Sequence, residues 1–124
     1  QYGILYDGAT VGLQGSTILS SNTWYHIVMT RTGTSGNWSY NLYLNGSSDG
    51  SATNVGQNFG NGSVAIGRFG AYDGGYFNGQ IDGVAIFNYA LSSSQVTTLY
   101  GDSTNGPGNP MALPSLPIIW DLIT

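Results

Sequence analysis

The sequence has no cysteine, no lysine and no glutamate. Without Cys there is no disulfide framework, no thiolate metal site and no Cys nucleophile. Without Lys, Arg31 and Arg68 face six Asp, and the formal net charge is −4. Two separated arginines do not make a phosphate-binding surface, which argues against nucleic acid as a partner. Charged residues reach only 6%, where soluble domains commonly carry about 25%. Solubility therefore rests on Gly, Ser, Thr and Asn, a surface suited to a crowded lattice or an extracellular particle. No apolar run approaches the roughly 18 residues that a membrane span requires. The Ala, Leu, Glu, Lys and Gln pool that coats long helices is thin. What is present is 40% hydrophobic and 13% aromatic residues over 124 positions. That is enough for one domain with a core, and too apolar for a disordered chain.

Turn signals are dense. Asn-Gly occurs at Asn45-Gly46, Asn61-Gly62, Asn78-Gly79 and Asn105-Gly106; Asp-Gly occurs at Asp7-Gly8, Asp49-Gly50, Asp73-Gly74 and Asp82-Gly83. These pairs favour positive φ and the primed turns that match strand twist. Short strands punctuated in this way predict an all-β, antiparallel β-sandwich of jelly-roll type. Strands are expected at Tyr2–Tyr6, Thr10–Leu19, Trp24–Arg31, Trp38–Asn45, Ser47–Ala52, Val64–Gly67 and Phe77–Asn88. Trp24–Arg31 carries apolar groups on both faces, the mark of a central strand, with Trp24 in the core. In Trp38–Asn45 the residues Trp38, Tyr40, Leu42 and Leu44 share one face, and Ser39, Asn41, Tyr43 and Asn45 share the other. Residues 53–62 and 69–76 read as glycine-rich loops. Ile81, Val84 and Ile86 are expected core contacts.

One helix is expected near the C-terminal end. Ser92 and Gln95 have capping-box spacing, Leu91 and Val96 can form the hydrophobic staple, and Gly101 can end the helix in the left-handed conformation. All four prolines follow Gly106, so residues 1–101 form the domain and 102–124 a Pro/Gly-rich tail or linker. The chain opens on Gln with no leader and closes on the apolar Ile118–Thr124. It therefore reads as a processed product or a segment of something longer.

The order of motifs is specific. Trp24-Tyr25-His26-Ile27-Val28, Leu42-Tyr43-Leu44-Asn45-Gly46, Ala65-Ile66-Gly67, Phe77-Asn78-Gly79-Gln80-Ile81-Asp82, and Ala85-Ile86-Phe87-Asn88 with Ala90-Leu91-Ser92 follow one another. From Gln1 to Tyr100 this resembles the laminin-G-like branch of the concanavalin A-like lectin/glucanase sandwiches. That family commonly has further strands, completing both sheets, before the segment similar to Gln1–Gly8. The resemblance also implies a calcium-binding role for Asp82, although Gly83 stands where relatives have a second acid. The tail, with Gly108-Asn109-Pro110-Met111-Ala112-Leu113 and Trp120, is similar to segments that follow such domains in bacteriophage virion proteins.

Glycoside hydrolysis needs two placed carboxyl groups. There is no Glu, and four of the six Asp precede Gly, where turn chemistry explains them. No catalytic residue is assigned. His26, the one histidine, reads as a half-buried, hydrogen-bonded strand residue. Asp82 reads either as a calcium ligand or as a cap for amides at a sheet rim. Sugars stack on aromatic faces and bond to Asn, Asp and Arg, so Trp38, Asn41, Tyr43, Tyr72, Asp73 and Tyr76 are the glycan-binding candidates, with packing against another chain or ordinary surface as the equal alternative. Three Asn-X-Ser sequons, at Asn37, Asn45 and Asn61, are chance in a chain this rich in Asn and Ser.

A sandwich lacking early strands leaves an open edge, so contacts with other protein, including strand complementation, are expected. The expected function is a non-catalytic binding and structural module of a virion or another extracellular particle, serving assembly and glycan attachment. The alternatives are a carbohydrate-binding accessory domain of a secreted enzyme or adhesin, and a glycoside hydrolase fragment.

Overall fold

The computed structural model describes residues 2–5, 11–56, 65–68 and 75–101. These form antiparallel β structure with one short helix: β1 (Gly3–Leu5), β2 (Val11–Gln14), β3 (Ile27–Thr34), β4 (Asn37–Leu44), β5 (Ser47–Val55) and α1 (Ser93–Gly101). β1 and β2 form a two-stranded sheet, and the second sheet has the order β3-β4-β5.

The hairpins follow from local chemistry. β3 and β4 pair in unbroken register from Ile27 opposite Leu44 to Thr34 opposite Asn37. Gly36, between them, takes φ 81°, a conformation that costs glycine little. Asn45 and Gly46 take φ 50° and 79°, the backbone of a type I′ turn. Gly46 is needed twice, because a Cβ there would also press on the Tyr100 ring at 3.1 Å.

The alternation of β4 builds the core on both of its faces. Tyr40 and Leu42 point toward β2 and pack with Leu13, against Tyr2, Trp38, Ala52 and Val55. Tyr43, one residue on, points the other way and packs with Leu91, Val96 and Leu99. The central strand is thus β4. The expectation that Trp24–Arg31 is central and Trp24 internal is corrected. β3 starts only at Ile27, lies at the end of its sheet among the described residues, and leaves Trp24 63% exposed. Apolar groups on both faces of a segment show that both faces can be covered, not that both edges are paired.

Other boundaries move for physical reasons. Asp49-Gly50, a turn signal that also falls within the expected Ser47–Ala52 strand, lies inside β5. The register steps from Tyr43 opposite Ser48 to Leu42 opposite Gly50, so Asp49 is the extra residue of a bulge. Gly50 is required there, since a Cβ would meet the Gln14 carbonyl oxygen at 2.6 Å. The second expected strand contracts to Val11–Gln14. The Phe77–Asn88 strand is absent, and so is strand at 65–67, although Arg68 and Tyr76 form one isolated bridge. A strand exists only when a neighbour takes its amides and carbonyls. Beyond the Phe77 amide, which donates to the Gly67 carbonyl at 2.8 Å, Phe77–Asn88 has no strand ladder among the described residues, and Ile81, Val84 and Ile86 are exposed rather than core. Val64 and residues 102–124 lie outside the described residues.

The helix matches its signal. Gln95 Oε1 accepts from the Ser92 amide at 2.8 Å, Ser92 Oγ accepts from the Gln95 amide at 3.3 Å, and Leu91 and Val96 are buried together. Gly101 is the last helical residue and does not adopt the left-handed conformation expected of it. Ser92→Ala is expected to lower stability by about 1 kcal/mol through loss of this cap, measured as a drop in the urea midpoint at unchanged slope.

Candidate functional site

A trough of about 1550 Å³ is lined by β3 and the irregular segment 77–90. Ile27 and Met29 stand on one wall, Ile81, Val84 and Ile86 on the other, and Trp24 at one end; each is more than two-fifths exposed. Arg31 and Asp82 are the charged residues among its walls, and their charges cancel. The side of β3 away from β4 carries no strand ladder among the described residues.

His26 lines the same trough and stacks on Tyr100 with ring centroids 5.9 Å apart. Its amide donates to Asn45 Oδ1 at 2.9 Å, and its carbonyl accepts from the Asn45 amide at 2.8 Å, which pins the Asn45-Gly46 turn to the start of β3. The expected half-burial holds. Its backbone is hydrogen-bonded as expected, while the ring Nδ1 is buried without a partner among the described residues. Burial pushes the imidazole below its usual range.

A second polar centre joins the two sheets. Asp49 accepts from the hydroxyls of Tyr2 (2.7 Å), Ser16 (2.7 Å) and Thr17 (2.6 Å), and from the Thr17 amide at 3.2 Å. Hydrogen bonds from Thr17, Tyr2 and Ser16 hold the carboxyl well below the usual carboxylate range. On the other side of that bond, burial and then Asp49 itself push the Tyr2 phenol up. Gly15 lies directly beneath, where a Cβ would strike the Tyr2 ring and the Asp49 carboxylate. The Asp-Gly pattern carried no hint of this role, because a bulge and a turn use the same residues.

These two groups set an acid response. His26 has a folded pKa below its unfolded value of about 6.5, so the unfolded chain takes up the proton more readily and stability falls as pH drops below that value. Asp49 has a depressed folded pKa, so its contribution is present above about 3.9 and is lost on further acidification. A plot of thermal midpoint against pH is expected to descend in two steps, with His26→Phe flattening the upper one and Asp49→Asn the lower.

The described glycan candidates are not assembled into one site. Trp38 is half-buried on the Tyr40 face, and its ring is covered by the Arg31 guanidinium, 4.2 Å from the centroid. Asn41 lies on the opposite face of β4, opposite Thr30. Tyr43 is 9% exposed and packs under the helix; its reading as a surface residue of a polar face is corrected, because α1 covers that face. Tyr72 and Asp73 lie outside the described residues. Tyr76 is 67% exposed and lines, with Arg68, Phe77 and Ile81, a shallow hollow of about 460 Å³. Arg68 was not among the sequence candidates, since only the bridge to Tyr76 brings the two together.

Asp82 Oδ1 accepts from the Gly83 amide at 2.8 Å, as an amide-capping residue would. Calcium takes six to eight oxygens. Asp82 is exposed, and the described residues contain no group of three or more His, Cys, Asp or Glu that could hold a metal ion.

Residues 3–97 match the family described as the concanavalin A-like lectin/glucanases superfamily, in its third laminin-G-type group. The chain belongs to this superfamily. No curated protein matches it. Among solved structures, this superfamily chain is similar to an S-layer domain-containing protein (residues 221–444) from Clostridium thermocellum ATCC 27405, determined by crystallography at 2.1 Å. The two are 24% identical with a TM-score of 0.54, over 69% of this chain and 43% of that one. This chain thus spans less than half of that protein, and the likeness establishes the shared lectin/glucanase-type fold. No helix among the described residues is long and apolar enough to cross a membrane.

Proposed function

We propose that this laminin-G-like domain is a non-catalytic structural module of an extracellular particle or surface layer, a virion surface or tail being one such setting, and that it works by holding other protein. The observation that carries this reading is the trough along β3. An apolar channel beside a strand edge that carries no ladder among the described residues is a liability for a chain alone and a contact surface within an assembly. The similarity to an S-layer domain-containing protein supports an extracellular setting. The non-catalytic reading is supported by the carboxylates: Asp49 is held in a network between the sheets, and Asp82 caps its own turn.

The test is cross-linking mass spectrometry on the native particle or surface. Cross-links from the 24–31 and 77–86 walls to other polypeptide are expected, and their absence overturns the reading. A second reading, glycan attachment, is favoured by the hollow that joins Tyr76 to Arg68. A glycan array with calcium present or removed tests it, and Tyr76→Ala is expected to abolish any signal seen.

A further inference from the structure

We infer that Asn78-Gly79 is a self-modifying site: in the folded chain Asn78 deamidates through a succinimide to aspartate and isoaspartate, while the fold holds the same dipeptide at Asn45-Gly46 unreactive. The reaction does not depend on what the trough binds.

The chemistry needs only the chain and water. The Gly79 amide nitrogen attacks Asn78 Cγ and gives up its proton. A new carbon–nitrogen bond closes a five-membered ring, and the side-chain nitrogen leaves as ammonia. Water then cleaves one of the two ring carbon–nitrogen bonds. Cleavage at Cγ gives aspartate; cleavage at the main-chain carbonyl carbon gives isoaspartate. In sum, an asparagine and a water become an acid and ammonia, with no oxidant or reductant. Three conditions govern the rate. The side chain must swing onto the next nitrogen, that nitrogen must not be committed to a hydrogen bond, and the backbone must be able to bring the two together.

Asn78 meets all three. Asn78 and Gly79 are exposed and lie outside every helix and strand. Neither makes a hydrogen bond among the described residues. Pairing stops just before them: Arg68 and Tyr76 form a bridge, and the Phe77 amide donates to the Gly67 carbonyl at 2.8 Å. Glycine also has a local reason to stand at 79, because a Cβ there would meet the Phe77 ring at 2.8 Å. The residue that hinders ring closure least is therefore the one this fold admits.

Asn45 fails all three. It is half-buried, its Oδ1 accepts from the His26 amide at 2.9 Å, and its own amide donates to the His26 carbonyl at 2.8 Å. The Tyr100 ring stands over Gly46, and the Thr97 hydroxyl lies 3.1 Å from the Gly46 carbonyl oxygen. Swinging Cγ onto the Gly46 nitrogen would break the Oδ1 bond and pull the turn away from both β3 and α1. Asn61-Gly62 and Asn105-Gly106 lie outside the described residues. Asp82-Gly83 has no ammonia to lose, so any rearrangement there leaves the mass unchanged.

The product carries one more negative charge, which takes the formal net charge from −4 to −5. Phe77 lines both the trough and the Arg68–Tyr76 hollow, so the new carboxylate arises on the residue next to both. Isoaspartate also adds one carbon to the main chain at that point. The wall is thus recharged and lengthened with age, without an enzyme.

The experiment incubates the 124-residue chain at mildly alkaline pH, folded and in denaturant, with a thermal melt to show that the first sample is folded. Reaction is stopped in acid, and peptic peptides are mapped by mass spectrometry with electron-transfer fragmentation to tell aspartate from isoaspartate. In the folded sample Asn78 is expected to convert at least about tenfold faster than Asn45, since Asn45 must give up two hydrogen bonds and a packed turn. In denaturant the two rates are expected to converge. Asn78→Gln is expected to abolish the mass gain in the peptide covering 75–83 and to leave Asn45 unaffected. Asn78→Asp, which installs one of the two products, is expected to leave the thermal midpoint unchanged, as surface substitutions without contacts do.

Equal rates at Asn78 and Asn45 in the folded chain overturn the selection by structure. An Asn78 that reacts in denaturant but is inert when folded overturns its assignment as the open site. Conversion to aspartate alone, with no isoaspartate, overturns the succinimide in favour of direct hydrolysis.

Discussion

Tyr40→Ala is expected to be the most damaging single truncation in the described fold. Tyr40 is 1% exposed, among the largest side chains fully buried, and it sits where β4 meets Leu13 of the first sheet. Removing a buried aromatic ring leaves a cavity that strand backbones cannot collapse around, and typically costs about 3–5 kcal/mol. Whole-domain stabilities are about 5–15 kcal/mol, so the loss is a large share of the total. In a domain of this size it corresponds to a fall in thermal midpoint of at least about 12 °C. Tyr40→Phe separates ring from hydroxyl: keeping the ring is expected to limit the loss to about 0.5–1.5 kcal/mol. Equal midpoints for Tyr40→Ala and Tyr40→Phe would show that the hydroxyl, not the packing, joins the sheets.

Leu99→Ala is expected to cost about 2–5 kcal/mol and to act through the helix. α1 has nine residues, whereas isolated helices shorter than about 12–15 residues are marginal in water. Its stability therefore comes from Leu99 and Val96 packing under Tyr43 and Leu91, assisted by the Thr97 hydroxyl, which lies 3.1 Å from the Gly46 carbonyl oxygen. Amide exchange in residues 93–101 is expected to accelerate far more than exchange within β4, with a matching loss of helical circular dichroism. Uniform acceleration across both would show that helix and sheet open as one unit. Because Tyr40 and Leu99 serve clusters on opposite faces of β4, the two costs are expected to add, and the double variant should be largely unfolded.

A similar division runs through the candidate site. Tyr76 could be picked out as an exposed aromatic because glycine-rich loops are surface features, and it is exposed. Trp38 and Tyr43 could not be separated from it by residue type. Strand alternation placed them on different faces, but whether a face meets water depends on what lands on it. For Trp38 that is Arg31, two residues along the neighbouring strand; for Tyr43 it is a helix about fifty residues away in sequence. Asp49 was legible as a turn former within a short strand, not as the centre of a hydrogen-bond network. Its three hydroxyl partners, Tyr2, Ser16 and Thr17, lie 47, 33 and 32 residues off, beyond the reach of any local pattern.

What the amino-acid order determined unaided was everything governed by neighbours within four or five positions: the antiparallel β class, the Asn45-Gly46 turn, the face alternation of β4 and the Ser92–Gln95 cap. Those outcomes follow from φ preferences and side-chain direction, which a few consecutive residues fix. Only the assembled structure decided which strand is central, which apolar face is covered and where Phe77–Asn88 lacks a strand ladder among the described residues. Burial and backbone pairing are properties of two surfaces at once, and the second surface is supplied by distant residues, whose arrival no short window of sequence encodes.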